Sequence, residues 1–217
     1  MKHDFYYISK RNPKVKEAYS NLLDLIHEVQ DIVRVDFTFQ YTPVGSYQRN
    51  MITYDAKSNI GYDFDFDIQV NDYENYSAEE IKHILQKAFN QVVQKYGYDF
   101  PENSTRVLTI KQKDRINSRI IHGCDFAIVH KYVNKYGDDC QQYIHFNKKQ
   151  NSYSWREQKS GLIKLSEKID WVKENDLWDK MRQLYLYLKD NNEDEQIHSR
   201  SIFAIAINQI CQQYGFF

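Results

Sequence analysis

The sequence predicts an α+β protein, a mixed β-sheet packed with helices and followed by a helical C-terminal subregion. Three observations carry this. Segments such as "YDFDFDIQV" alternate apolar and polar residues with period two, the signature of a half-buried strand. Segments such as residues 14–33 and 77–97 repeat apolar residues every three or four positions, as amphipathic helices do. From Ser160 onward the pattern is helical throughout. At 217 residues the chain can bury a substantial core as one large domain with a small appendage. The expected division is a core over residues 1–155 and a helical region over 156–217 packed on it.

Taken in order, "RNP" is turn chemistry, and the helix after it places Val15, Ala18, Leu22, Leu23, Ile26, Val29 and Ile32 on one face. "VDFTFQYTPV" alternates Val35, Phe37, Phe39 and Tyr41 and reads as a strand that ends by Pro43 and a Gly-Ser pair. "YDFDFDIQVND" is a second strand. Ser77, with Glu80 three residues on, predicts a capping box for the next helix, and Gly97 its stop. Strands are expected at "TRVLTIKQ", "SRIIHGCDFAIVHKY" and, after the turn "KYGDD", at "CQQYIHFN". Three helices follow, in "GLIKLSEKIDWVKEN", "DLWDKMRQLYLYLKDNN" and "SRSIFAIAINQICQQYG", with "NNEDEQ" as a solvated linker.

The 29 Lys and Arg nearly cancel the 30 Asp and Glu, which argues against non-specific binding to long nucleic acid and leaves any nucleotide to a local site. Cys124, Cys140 and Cys211 have no metal-ligand spacing and are odd in number, so neither a zinc site nor a disulfide framework is supported. The start "MKHDFYYISKRNPK" has no apolar signal core, and no run approaches the roughly 18 apolar residues of a membrane span. The expectation is a cytoplasmic protein with no membrane partner.

In the strand "YDFDFDIQV", Phe64, Phe66, Ile68 and Val70 point to the core while Asp63, Asp65, Asp67 and Gln69 share the other face. A solvated sheet face is the ordinary use of such a pattern. Three features point elsewhere. Asp is disfavoured in strands, and like charges about 7 Å apart repel unless a divalent cation binds them. Gly45-Ser46 follows a strand directly and opens a stretch that can start with a helical turn, an arrangement suited to phosphate oxygens. Asp125 stands inside the apolar run "GCDFAIV", and if its strand lies beside the Asp65 strand, its carboxylate completes a three-ligand metal site.

Together, "FQYTPVGSYQRNMIT", "YDFDFDIQV" and "GCDFAIV" resemble the DNA polymerase beta-type nucleotidyltransferase superfamily, and most of all its cGAS-like and oligoadenylate-synthase-like group, across roughly residues 14–190. The resemblance implies a nucleotidyltransferase fold and an enzyme that transfers a nucleotidyl group from a nucleoside triphosphate to a hydroxyl, releasing pyrophosphate. A cyclic oligonucleotide signal of the kind used in antiviral defence is one product; transfer to tRNA or a protein, and a catalytically silent binding protein, stay open beside it. By the same resemblance, Gly45 and Ser46 face the triphosphate, and Tyr47 and Arg49, beside that turn, are candidates for contacts to base or phosphate. Asp65, Asp67 and Asp125 hold two Mg²⁺ ions, for which Mn²⁺ could substitute, and Asp63 is a bystander. The interval from Ser46 to Asp65 is longer than the family's usual spacing, which implies an insertion around "DAKSNIG" and keeps Asp63 open as an alternative ligand.

Further contacts to base or phosphate are sought at Lys111, Lys113, Tyr153 and Trp155, the last two read as loop residues. Trp171 and Trp178 are expected in the core of the helices. His122, three residues from Asp125, should point to the opposite face of its strand.

Overall fold

The chain enters through a short strand, β1 (Phe5–Tyr7), and its first long helix, α1 (Pro13–Val33), starts where the sequence provides for it. The Asn12 side chain accepts the Lys14 N–H at 3.0 Å, and Pro13 occupies the first turn, where no donor is needed. The structure is a computed structural model that describes residues 3–58, 60–71, 73–158, 161–194 and 197–216, with backbone alone for 161–164. Parts of four expected features lie outside the described residues: Asn59 of the insertion, Asp72 after the aspartate strand, Ser160 at the onset of the helical pattern, and Glu195 and Gln196 of the linker.

After α1 come β2 (Phe39–Val44), the single turn α2 (Gly45–Gln48), β3 (Thr53–Asp55), β4 (Tyr62–Val70) and α3 (Ala78–Val92). Then follow β5 (Glu102–Asn103), β6 (Val107–Asp114), β7 (Arg119–Val133), β8 (Asp139–Asn147) and β9 (Ser152–Glu157). Helices α4 (Gly161–Glu174), α5 (Trp178–Asp190) and α6 (Ser199–Tyr214) end the chain. Among the described residues no helix is long and apolar enough to cross a membrane.

The chain divides into two compact units. One comprises residues 8–52 and 59–158, the other residues 1–7, 53–58 and 159–217. The unit that holds the C-terminal helices also takes in β1 and β3, which pair antiparallel with each other. The long interval between Ser46 and the aspartates is thus the length of chain that leaves to form β3 and returns.

In the larger unit, seven strands among the described residues form one mixed sheet in the order β2-β4-β7-β6-β5, with β8 on β7 and β9 on β8. Only the β4–β7 pair among these is parallel. The 15-residue β7 is long enough to pair β6 along its first half and β8 along its second. Phe64, Phe66, Ile68 and Phe126 are at most 1% exposed and lie under α1 and α3: Tyr19 of α1 meets Phe64 and Phe66, and Phe89 of α3 sits 4.6 Å from Phe126. Each such ring stabilises the fold by about 2–3 kcal/mol.

The expected capping box forms, with Glu80 N–H donating to Ser77 Oγ and Ser77 N–H to the Glu80 carboxylate, and Gly97 ends the helical stretch with φ of 79°. Two details differ from expectation. The buried face of α1 uses Leu25 and Val33 where Leu23 and Ile32 were expected, because the helix carries enough apolar residues to define two overlapping stripes. The strand expected from Val35 starts at Phe39, since Asp36 and Phe37 N–H groups both donate back to Val33 O and continue the helix end; Val35 is 88% exposed.

In the helical unit, α6 packs with α4 and α5. The Tyr7 hydroxyl donates to Arg182 O, and Lys189 Nζ donates to Thr53 Oγ1 at 2.8 Å, which ties α5 to the β1–β3 ribbon. Trp171 and Trp178 are half-buried, edge-on to Phe216 and Phe203 respectively, rather than in the centre of the core.

Candidate active site

β4 and β7 run parallel with Asp65 opposite Asp125, and Asp63 and Asp67 of the same face lie opposite Gly123 and Ala127. The expected adjacency of the two aspartate strands is therefore present. Across β4's other edge, Val44 pairs with Asp65 and Thr42 with Asp67, so the chain turns away at Gly45 level with Asp65. That turn needs glycine. Gly45 has φ of +66°, and a Cβ there would lie 1.9 Å from Asp65 Oδ2. Gly123 leaves room in the same way for Asp63, whose Oδ1 would meet a Cβ at 2.5 Å.

The electrostatics follow from this crowding. Burial, then the Asp125 carboxylate, then Asp63 push the Asp65 carboxyl up to about 7; Arg49 and the Ser46 N–H, which donates to Asp65, work against them. Burial also raises Asp125, opposed by Thr109, whose hydroxyl donates to Asp125 Oδ1 at 2.6 Å, and by Lys111. Cys124, fully buried between the strands, has its thiol raised by burial and by these acids, so it is an inert core residue.

Of the residues the sequence singled out, the structure gathers Asp63, Asp65, Asp125, Gly45, Ser46 and Arg49. Asp67 is two positions further from the turn and forms an ion pair with Lys131 at 3.3 Å. The Tyr47 ring does not join them; it stacks on Tyr19 at 4.2 Å, beside Phe64, with Lys10 over it. Lys111 lies on the carboxylate face, held by Glu102 at 2.8 Å, whereas Lys113 follows a bulge and pairs with Asp99. Tyr153 and Trp155 lie on β9, not in a loop. Tyr153 stacks on Phe146 and accepts from Asn103, and Trp155 meets Tyr73 edge-on, so both pack the sheet. His122 is on the opposite face as expected, 3% exposed and bonded to the Tyr98 hydroxyl at 2.7 Å.

Sequence reasoning missed Thr109 and Lys131. Each acquires its role only through strand register, and "TRVLTIKQ" and "VHKY" look like any polar-alternating strand.

As the side chains stand, no group of three His, Cys, Asp or Glu among the described residues surrounds a common point that would hold a metal ion. The donor chemistry nonetheless fits one. Asp63, Asp65 and Asp125 occupy neighbouring positions on one face of the β4–β7 pair, hard oxygen ligands of the kind Mg²⁺ prefers, and Asp65 is pushed toward neutrality first by burial and then by the repulsion of Asp125 and Asp63, which a cation would relieve.

No family model and no curated protein matches the chain by sequence. Its fold is the nucleotidyltransferase fold, as comparison with solved structures shows. The Vibrio cholerae cyclic AMP-GMP synthase DncV with a nonhydrolyzable GTP matches with a TM-score of 0.55 and 12% identity, over 90% of this chain and 51% of that one. The Rhodothermus marinus c-UMP-AMP synthase CdnE with Apcpp and Upnpp matches at 0.53 and 10%, over 88% and 70%. Escherichia coli DncV bound to 3'-deoxy GTP matches at 0.52 and 14%, over 88% and 52%. The chain spans about half the length of the DncV structures it matches.

Proposed function

We propose that the protein is a Mg²⁺-dependent nucleotidyltransferase that moves a nucleotidyl group from a nucleoside triphosphate to a hydroxyl and releases pyrophosphate. The observation that carries this is the placement of Asp65 beside Asp125 on the parallel β4–β7 pair, with the Gly45 turn against Asp65. Bound Mg²⁺ would supply charge neutralisation at the triphosphate and at the attacking oxygen.

The residues divide the remaining work. Asp65 and Asp125 are the central ligands; Thr109 fixes the Asp125 carboxylate by its hydrogen bond, so that one oxygen stays free to face the metal. Arg49, already attracted to Asp65, would meet a triphosphate oxygen beside the turn. The Ser46 amide is engaged by Asp65, which leaves its hydroxyl as the phosphate-facing group. For the second carboxylate on β4, expected at Asp67, Asp63 has the stronger position: it stands on the turn side of Asp65 and repels it, while Asp67 lies away from the turn and is paired with Lys131.

Titration of Mg²⁺ with a non-hydrolysable NTP, followed by incubation with labelled NTPs and separation of products, tests the reading. Metal-dependent binding and a labelled product are expected, and the product distinguishes a released oligonucleotide from labelled tRNA or protein. Absence of both binding and product makes the fold a silent scaffold. Asp63→Asn should lower turnover far more than Asp67→Asn; the reverse order restores Asp67 as the metal ligand.

A further inference from the structure

The carboxylate face does not end at the acids. Residues opposite one another across strands share a face, so successive rows can be followed along the sheet. Asp65, Asp125 and Thr109 form one row, Asp67, Ala127 and Val107 the next, and Gln69, Val129, Tyr143 and Arg156 the third. Rows two residues apart are about 7 Å apart, which places Arg156 roughly 13 Å from the level of Asp125.

Around this third row the charge changes sign. Arg106, just before β6, lies with its guanidinium carbon 4.5 Å from the centroid of the buried Tyr143 ring, and the Phe146 N–H donates to Thr105 O at 2.8 Å, fastening that end of the chain to β8. His145, across from Ser154, is the next residue of β8 on this face. It lies near both Arg106 and Arg156, and its Nδ1 is buried without a hydrogen-bond partner. Both arginines are exposed, and among the described residues neither pairs with a carboxylate. From Gln141 to Asn147 on β8, and from Ser152 to Gln158 on β9, the face bears no acid at all, and Lys148 and Lys149 occupy the connecting turn.

Two uncompensated guanidiniums, one of them flattened on an aromatic ring, with a buried imidazole nitrogen lacking a partner, make a receptor for phosphate oxygens. We infer that Arg106, His145 and Arg156 form a second anion site that binds a phosphate group of the acceptor, a phosphorylated nucleoside or short oligonucleotide lying across the sheet toward Asp125. The role as acceptor site rests on the proposed transfer reaction; the binding of phosphate does not. The division of labour is electrostatic. The acids need a metal before they attract a triphosphate, whereas the basic rows attract phosphate without one.

Fluorescence anisotropy with a labelled nucleoside monophosphate, in EDTA and low salt, separates the two. The protein should bind it, at least tenfold more tightly than the unphosphorylated nucleoside, and more weakly as salt rises. Arg106→Ala with Arg156→Ala should lose at least tenfold, and Arg156→Lys should keep part of the affinity. Competition by an unlabelled trinucleotide then tells whether an oligonucleotide also occupies the site. Both arginines are exposed, so the double variant should melt at the same temperature as the parent. Equal binding by the double variant, or equal affinity for the unphosphorylated nucleoside, overturns the inference. Phosphate binding that persists in a protein with no transfer activity leaves the anion site standing and removes only its role as acceptor site.

Discussion

β4 and β7 present two faces built from alternate residues of the same strands, and they treat charge in opposite ways. One face carries Asp63, Asp65 and Asp125; the other carries Phe64, Phe66, Phe126 and His122, none more than 3% exposed. Burial drives the titratable groups of both toward neutrality, raising Asp65 to about 7 and lowering His122 to about 4. Only the carboxylate face has other acids that add to the push, and that surplus of negative charge is what a cation can use. Period-two alternation thus lets one pair of strands hold a cluster of carboxylates on one face and the packed core that fixes its geometry on the other.

The sharpest break of the comparison is a substitution on each face at adjacent positions. Asp65→Asn should lower nucleotidyl transfer by about 10³-fold or more, as removal of a preorganised charge typically does, with the melting temperature unchanged or raised because repulsion is relieved. Phe64→Ala should cost about 3–5 kcal/mol of stability and leave transfer per folded molecule intact. Thermal melts beside labelled-NTP assays measure both. Equal loss of activity from the two variants would mean the faces are not independent.

Gly45→Ala should come next in size. A Cβ at φ of +66°, against Asp65 Oδ2, must move either the turn or the carboxylate. About 10²-fold loss of transfer with only about 1–2 kcal/mol of destabilisation is expected, since strain at one turn is local. A variant as active as the parent would show that the close approach of the turn does not matter.

In metal-free buffer the two faces should also give opposite pH slopes. Asp65 has a folded value above its ordinary 3.8, so the folded state binds the extra proton between about 4 and 7, and its contribution to stability grows as pH falls through that range. His122 has a folded value below its ordinary 6.5, so the unfolded state binds the extra proton, and stability is lost as pH falls from 6.5 toward 4, by at most roughly 3 kcal/mol. Asp65→Asn should therefore make denaturant midpoints fall more steeply on acidification, and His122→Phe less steeply. Parallel profiles for both variants would sink this account of the two faces.

Much of this arrangement was legible in the sequence. Strict alternation from Tyr62 to Val70 fixed which residues face the acids' side, and Asp125 inside an apolar run marked a partner strand, because burying an acid is costly enough to require a reason. The capping box at Ser77 was legible for the same local reason. What escaped was decided at a distance. Three-residue strands such as β1 and β3 carry no periodicity of their own and exist only through their pairing. "SYSWRE" reads as a loop until β8 is beside it, and then Tyr153 and Trp155 pack while Arg156 faces out. The Asp67–Lys131 pair depends on the β4–β7 register, which no local pattern encodes.

The smallest expected effect concerns the apolar layer, where one residue breaks the rule that charge is kept out. Lys82 of α3 is fully buried, its Nζ has no hydrogen-bond partner, and burial lowers it to about 8. An ammonium there costs stability, and methionine of similar length removes the cost without opening a cavity. Lys82→Met should raise stability at pH 7 by about 1–2 kcal/mol. The sign with pH is fixed: the folded value lies below the ordinary 10.5, so the unfolded state binds the extra proton between about 8 and 10.5. The parent should gain stability as pH rises above 8, and the advantage of Lys82→Met should shrink over the same range. Denaturant titrations at pH 7 and 9.5 read this difference directly. A variant that is less stable at pH 7 would show that the amine is satisfied by a partner and that the apolar layer tolerates charge after all.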